Sequence, residues 1–342
     1  MTRLKNGLLT ATAALVLAAP AFADDRLVMA TWGGVFRATT ETHIATPFEQ
    51  ATGADVELID VGGGWAAKIQ AQAAAGAIQW DMIDSIDAGS AAFLFANDML
   101  EPLPEDLAER LQARSLPGAV TEFGIEEGST GVIIACLAEV KCPTTSAEFF
   151  DVEAFPGARA IINEPGQILP FAALASGVAP EDLFPVDLDR AFDLLDQVKG
   201  EVSVWTSSGD QQQQVLRSGE VDMAIMWNGR AFDLTQKGTP LTMVWDGALL
   251  DPGYIVVLKG APNPELAFKY LEFYATNPQA QADWASVLPY GMASAELDGL
   301  LPKAVAEALP SSHDAVRIDP AWFAAHQAEI STRWQEFLTN AN

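Results

Sequence analysis

Along the chain, short apolar runs alternate with longer stretches in which apolar positions return at the helical period. Arg26 to Thr31 predicts a strand, Gly33-Gly34 opens a helical stretch that ends at Thr52-Gly53, and Ala54 to Val61 predicts a second strand. A helix from Trp65 through Ala75 to Gly76, a strand from Trp80 to Ile86 and a helix from Ala88 to Leu100 follow. The second half has the same kind of pattern, with strands predicted at Gly131 to Leu137 and Ala158 to Ile162 and a helix from Asp187 to Lys199. Asp187 is placed to cap the free amides of that helix, and Leu188, Ala191, Phe192, Leu195 and Val198 form one apolar face. Gly200 suits the left-handed stop. Ser208 with Gln211 predicts a capping box that opens a helix running to Ser218-Gly219. Asn263-Pro264 and Asn277-Pro278 each read as an N-cap followed by a first helical proline. Strands alternating with helices of roughly ten residues or more predict an α/β chain of βαβ units with a mainly parallel sheet.

The first residues change the picture of which part folds. Arg3 and Lys5 precede an uncharged apolar run from Leu8 to Ala19, and Ala21-Phe22-Ala23 offers the small residues a signal peptidase needs. The run is shorter than the roughly 20 residues that span a bilayer. Residues 1–23 are therefore read as a cleaved export leader, and the mature chain as periplasmic. What remains is enough for about two domains, with 49% hydrophobic residues to fill two cores. Without the leader, 17 basic residues face 46 acidic ones, a formal charge of −29. That excludes nucleic acid as a partner, since it needs a basic footprint. Cys136 and Cys142 are the only cysteines, and in an exported chain they predict a disulfide. Their spacing is not C-x-x-C, so a structural staple is expected rather than redox catalysis.

In two-layered α/β architectures, ligands bind where loops leave the carboxyl ends of the strands. Those loops are Trp32-Gly33-Gly34, Asp84 to Asp87, Glu164 to Gln167, Ser207 to Asp210, Trp227 to Arg230, and Asp251 to Tyr254, a set rich in Trp, Asp and Glu. His43, His313 and His326 fall in no metal-hydrolase pattern, and no G-x-S-x-G elbow, P-loop or G-x-G-x-x-G follows a strand. The four tyrosines include no adjacent pair of the kind ferric-binding proteins use. No catalytic residue, cofactor or metal is expected. The chemistry left is capture of an amine: carboxylates accept hydrogen bonds from an ammonium, and aromatic faces attract it at about 0.5–2 kcal/mol each. Trp32 and Trp227 end apolar strands beside glycine and so point toward the crevice.

Several fragments recur in a telling order: Trp32-Gly33-Gly34, the stretch from Phe150 to Gly157 (FDVEAFPG), Gly219 to Met223 (GEVDM) leading to Trp227-Asn228-Gly229-Arg230, and Pro289-Tyr290-Gly291. With them the chain resembles the periplasmic binding proteins of spermidine/putrescine-type ABC transporters, across nearly the whole mature length. The resemblance implies the type II fold: two α/β lobes joined by crossing strands, with ligand closed between them. Approximate boundaries are residues 24–127 plus 252–298 for one lobe and residues 128–251 plus 299–342 for the other. It also implies that Trp32, Trp227 and Tyr290 line the cleft, that Glu164 falls near a position contacting ligand nitrogen, and that Asp210 lies in a loop supplying a polar contact. The expected ligand contacts are Trp32, Asp84, Asp87, Glu164, Asp210, Trp227, Arg230, Asp251, Tyr254 and Tyr290.

One departure from the diamine-binding members bears on the ligand. Where they tend to carry an Asp, this chain has Arg230, and Gly253 stands where they carry another. Arg repels a diammonium ligand but is the natural bidentate partner of a carboxylate. Two ligand classes follow: a polyamine such as putrescine or spermidine, or a zwitterionic ω-amino acid such as 4-aminobutyrate. Arg230 facing outward, or pairing with a protein carboxylate, is the competing reading of that residue. The expected partners are an ABC permease and its ATPase, with the binding protein a monomer. A ligand-presenting chemosensor and a secreted enzyme on the same fold are the alternatives.

Overall fold

The computed structural model describes residues 25–297 and 299–339. The expected leader lies outside the described residues. Among those described, no helix is long and apolar enough to cross a membrane.

Two sheet halves share one long strand. In the first half β1 (Arg26–Thr31) lies between β2 (Asp55–Asp60) and β3 (Met82–Asp87), parallel to both. In the second, β5 (Arg159–Ile162) lies parallel to β6 (Val202–Thr206) and β7 (Met223–Trp227). Those are the predicted βαβ units. The expected strand at Gly131 to Leu137 is longer, and this difference joins the two halves. Strand β4 runs over Gly124–Leu137; its first residues pair antiparallel with β9 (Gly253–Val257), and Val132 to Cys136 pair antiparallel with β7. The polar residues Glu126, Glu127 and Ser129 interrupt the apolar run and hide its continuation. Gly128 stands at the crossing with φ 67°, a value only glycine adopts freely. The return path goes from β8 (Leu241–Asp251) through Pro252 into β9, and a third segment, Gly291–Met292, pairs with Ser129 and Glu127.

The predicted helix starts hold in detail. Asp187 accepts from the Arg190 amide (3.1 Å), and Ser208 accepts from the Gln211 amide (3.2 Å) while the Gln211 side chain returns to the Ser207 amide at 2.8 Å. Asn263 accepts from Leu266 N at 3.4 Å. Asn277 differs: its Nδ2 donates to the Phe273 carbonyl at 2.6 Å, so it closes the preceding helix instead of capping the next with its side chain.

The C-terminal helix Pro320–Thr339 was not anticipated, although Asp319-Pro320 has the same cap-plus-proline signature and Asp319 accepts from Trp322 N at 3.2 Å. Trp334 and Phe337 pack on Phe192 and Trp205 of the second half. Phe323, near its start, lies over two glycines: a Cβ on Gly89 would sit 2.1 Å from the ring and one on Gly166 2.6 Å from it. Gly89 belongs to the Ala88–Ala96 helix that follows β3, and Gly166 to the Pro165–Ala175 helix that follows β5.

Cys136 and Cys142 form the expected disulfide, with Cα atoms 5.7 Å apart, tying the buried end of β4 to the loop after it. A loop this short constrains the unfolded chain by about 2 kcal/mol in the entropy model. Reduction should therefore lower the melting temperature by several degrees without changing ligand affinity, as thermal denaturation and calorimetry with and without reductant would record. Loss of binding by a folded reduced protein would contradict the staple reading.

Candidate ligand-binding site

The strand order converges four carboxyl-terminal strand ends on one cavity. Trp32 follows β1, Asp87 ends β3, Trp227 ends β7 and Asp251 ends β8, and all four line about 390 Å³ of atom-free space between the halves. The indole nitrogen of Trp32 donates to the Ser85 carbonyl at 2.8 Å. Its ring meets Trp227 edge-to-face, with centroids 5.4 Å apart and planes at 72°, and meets Trp65 on the other side at 5.4 Å and 84°. Such pairs are a preferred aromatic geometry and fix both rings.

Arg230 faces the cavity and is 2% exposed. Its Nη1 donates to Asp210 Oδ1 (3.0 Å) and its Nη2 to the Gly33 carbonyl (3.2 Å), a contact from the second half to the first. Asp210 fits against Gly34, where φ is 65° and a Cβ would come 1.9 Å from its Oδ1. Arg230 Nε and the Tyr290 hydroxyl are buried with no hydrogen-bond partner. Burial pushes the Tyr290 phenol up to about 12, so the hydroxyl keeps its proton.

Carboxyl groups gather toward the other side. Asp251 is 6% exposed; burial, with Asp87 beside it, raises its pKa to about 7, while the Gln167 amide and Arg317 oppose the rise. Glu164, partly buried at the cap of the Pro165–Ala175 helix, is raised to about 8 by burial and then by Asp87 and Asp251. Asp87 is also raised by burial, though its Oδ1 accepts from Ser90 N at 2.7 Å. Asp87 and Asp251 also line a second, adjoining space of about 940 Å³ that includes Glu164 but not Arg230. Asp87 and Asp251 thus line both spaces, Arg230 only the first of the two and Glu164 only the second.

Two expected contacts are corrected. Asp84 lines neither space: it lies wholly buried on β3, accepts from Thr31 Oγ1 at 2.9 Å and faces Glu127, while the bulge residue Ser85 (φ 55°) takes the cavity position. Desolvation raises both Asp84 and Glu127. Tyr254 packs with Phe123 and reaches Arg317 at 3.5 Å, because Gly253 faces the cavity and the next side chain on the strand points to the opposite face. Asp210 touches Arg230 and lines a separate opening beside Gly33, not the cavity itself. Trp65 and Gln167 belong to the site's lining; Gln167 ends one of the expected cleft loops but was not among the expected contacts, and Trp65 was in neither set. Trp65 stands beside glycines in the turn after a strand, as Trp32 does, though on the helix side of them, so a rule of tryptophan beside glycine would have found it. A Gln in the first turn of a helix carries no such signal.

Residues 43–308 match the family described as bacterial extracellular solute-binding protein. The chain belongs to that family, and its role is that of a solute-binding protein of ABC transport. It is 32% identical over 339 residues to the gamma-aminobutyric acid-binding protein of Pseudomonas aeruginosa, covering 94% of this chain and 93% of that one. The spermidine/putrescine-binding periplasmic protein of Escherichia coli K12 is 25% identical over 135 residues, 39% of this chain and 38% of that one. An ABC transporter substrate-binding protein from Bradyrhizobium japonicum superposes with a TM-score of 0.83 at 27% identity, over 91% of this chain and 99% of that structure. The expected resemblance and the α/β fold of periplasmic binding proteins are borne out.

Proposed function

We propose that this protein captures a short zwitterionic ω-amino acid, with 4-aminobutyrate as the leading ligand, in the periplasm and presents it to an ABC permease driven by its ATPase. The carrying observation is the lining of two adjoining spaces: buried Arg230 and the unpartnered Tyr290 hydroxyl line only the first, Glu164 only the second, and Asp87 and Asp251 both. The ligand's carboxylate lies against Arg230 and Tyr290, its ammonium against the carboxylates, and its methylenes along the apolar surface that the Trp32 and Trp227 rings present together. The likeness to the gamma-aminobutyric acid-binding protein supports this assignment. The protein acts as a monomer and without catalysis.

Closure follows from where the groups sit. Arg230 and Trp227 belong to one half, Gly33 and Trp32 to the other, so a ligand bound to one half gains the contacts of the second only when the hinge shuts. Its differential affinity shifts the population toward the closed state.

A thermal-shift panel tests the assignment. 4-Aminobutyrate should stabilise the protein by about 2.7 kcal/mol at a hundredfold excess over Kd. Stabilisation by putrescine and spermidine but not by 4-aminobutyrate would establish the polyamine reading, which the three carboxyl groups and the adjoining space support.

A further inference from the structure

Gln167 is 7% exposed and stands between the two kinds of group that hold an amine. Its Nε2 donates to Asp251 Oδ2 at 2.5 Å and its Oε1 accepts from the indole nitrogen of Trp227 at 2.9 Å. The orientation of the amide follows from its partners, because an indole N–H only donates and an ionised carboxylate only accepts. A carboxamide satisfies both at once. A Glu would set a second negative charge against Asp251 or share its proton, and an apolar residue would leave the buried indole N–H and Asp251 Oδ2 unpartnered, which is costly.

We infer that Gln167 is a positioning residue for ligand specificity: its amide holds the Asp251 carboxylate as the anionic anchor and the Trp227 ring as the face beside it. The groups around Asp251 show why an anchor needs help. Asp87 at the end of β3 and Glu164 at the cap of Gln167's own helix are both acidic, and burial also disfavours charge; Arg317 and the Ala88 amide act in the opposite direction. Donation from Gln167 adds to the side that keeps Asp251 ionised. The same amide restrains the Trp227 ring, which meets Trp32 edge-on, so anion and aromatic face are set by one side chain. Its neutrality limits the negative charge presented to the ligand, in keeping with a single ammonium.

This inference rests on the amine-binding reading of the cleft, and the experiment separates the two. In the ligand-free protein, the Asp251 carboxyl titration followed by carbon NMR should move up by about one pH unit in Gln167→Met, through loss of the donor. Gln167→Glu keeps the shape of the side chain and serves if the Met variant fails to fold; there Asp251 should titrate in two coupled steps, the second above the wild-type midpoint. With 4-aminobutyrate, or putrescine if only that binds, affinity of Gln167→Met should fall by about fivefold near pH 7, as the ionised fraction of Asp251 drops, and should recover most of it near pH 9. An unmoved Asp251 titration, or a loss of the same size at both pH values, overturns the inference. If the wild type binds neither amine, the amine-binding reading fails, while the ligand-free titration still decides the role of Gln167.

Discussion

Arg230→Ala should bind 4-aminobutyrate roughly 30- to 5,000-fold more weakly than the wild type, the range expected when one partner of a buried, hydrogen-bonded charge pair is removed. The guanidinium is almost fully buried and, among the described residues, pairs with no carboxylate but Asp210, whose own side chain is 55% exposed. Truncation therefore strands no buried charge, and the fold should persist. Arg230→Lys should recover part of the affinity, since an ammonium supplies the charge but not the planar fork. Arg230 also bonds the Gly33 carbonyl across the cleft, so its loss weakens closure for every ligand. Calorimetry with 4-aminobutyrate and putrescine in parallel separates the effects. A larger loss for 4-aminobutyrate identifies the carboxylate anchor; an equal loss for both makes Arg230 a closure contact and defeats the zwitterion assignment.

The second large effect is on pH dependence. Asp251 near 7 and Glu164 near 8 are substantially protonated in the empty protein at neutral pH. A bound ammonium favours their ionised forms, so binding must release protons. Affinity for 4-aminobutyrate should rise from about pH 6 to about pH 8.5, by up to about tenfold per pH unit for each proton released. The binding heat should change with the ionisation enthalpy of the buffer. Stability of the empty protein should run the other way. Carboxyls raised above their unfolded values bind more protons when folded, so their contribution is full below about pH 4 and is lost as pH rises through about 7 to 8. Glu164 is partly exposed, and its share is reduced by solvent screening. Melting temperatures with and without ligand over this range would show the two trends diverging. Affinity independent of pH would mean that these carboxyls do not contact the ligand.

Much of this was legible before the structure. The βαβ grammar, the cap residues Asp187, Ser208 and Asn263, the cysteine pair and the cleft tryptophans all rest on local signals: period, capping chemistry and glycine beside an aromatic. Arg230 was legible as a departure from a pattern; its side chain lines the cavity and also pairs with a protein carboxylate, Asp210, as the competing reading of that residue had it. What stayed hidden depends on pairing over long distances. Strand β4 serves two sheets, and no local pattern announces that Glu127 marks a crossing. Asp84 and Tyr254 were misplaced because a bulge at Ser85 and the alternation after Gly253 decide which residue lines the cavity, and a register of one residue moves a side chain to the opposite face. Gln167 became visible only when its two partners, 60 and 84 residues away in sequence, were brought beside it.

Phe323 has a mechanical consequence. A hinge made of crossing strands sets the axis of rotation but no end point. The ring rests on bare backbone at Gly89 on one side of the cleft and Gly166 on the other, where even a methyl group would overlap it. Two positions without side chains, far from Arg230 in the chain, therefore let a single ring wedge between the starts of the helices that follow β3 and β5, and any side chain there would force those helix starts apart.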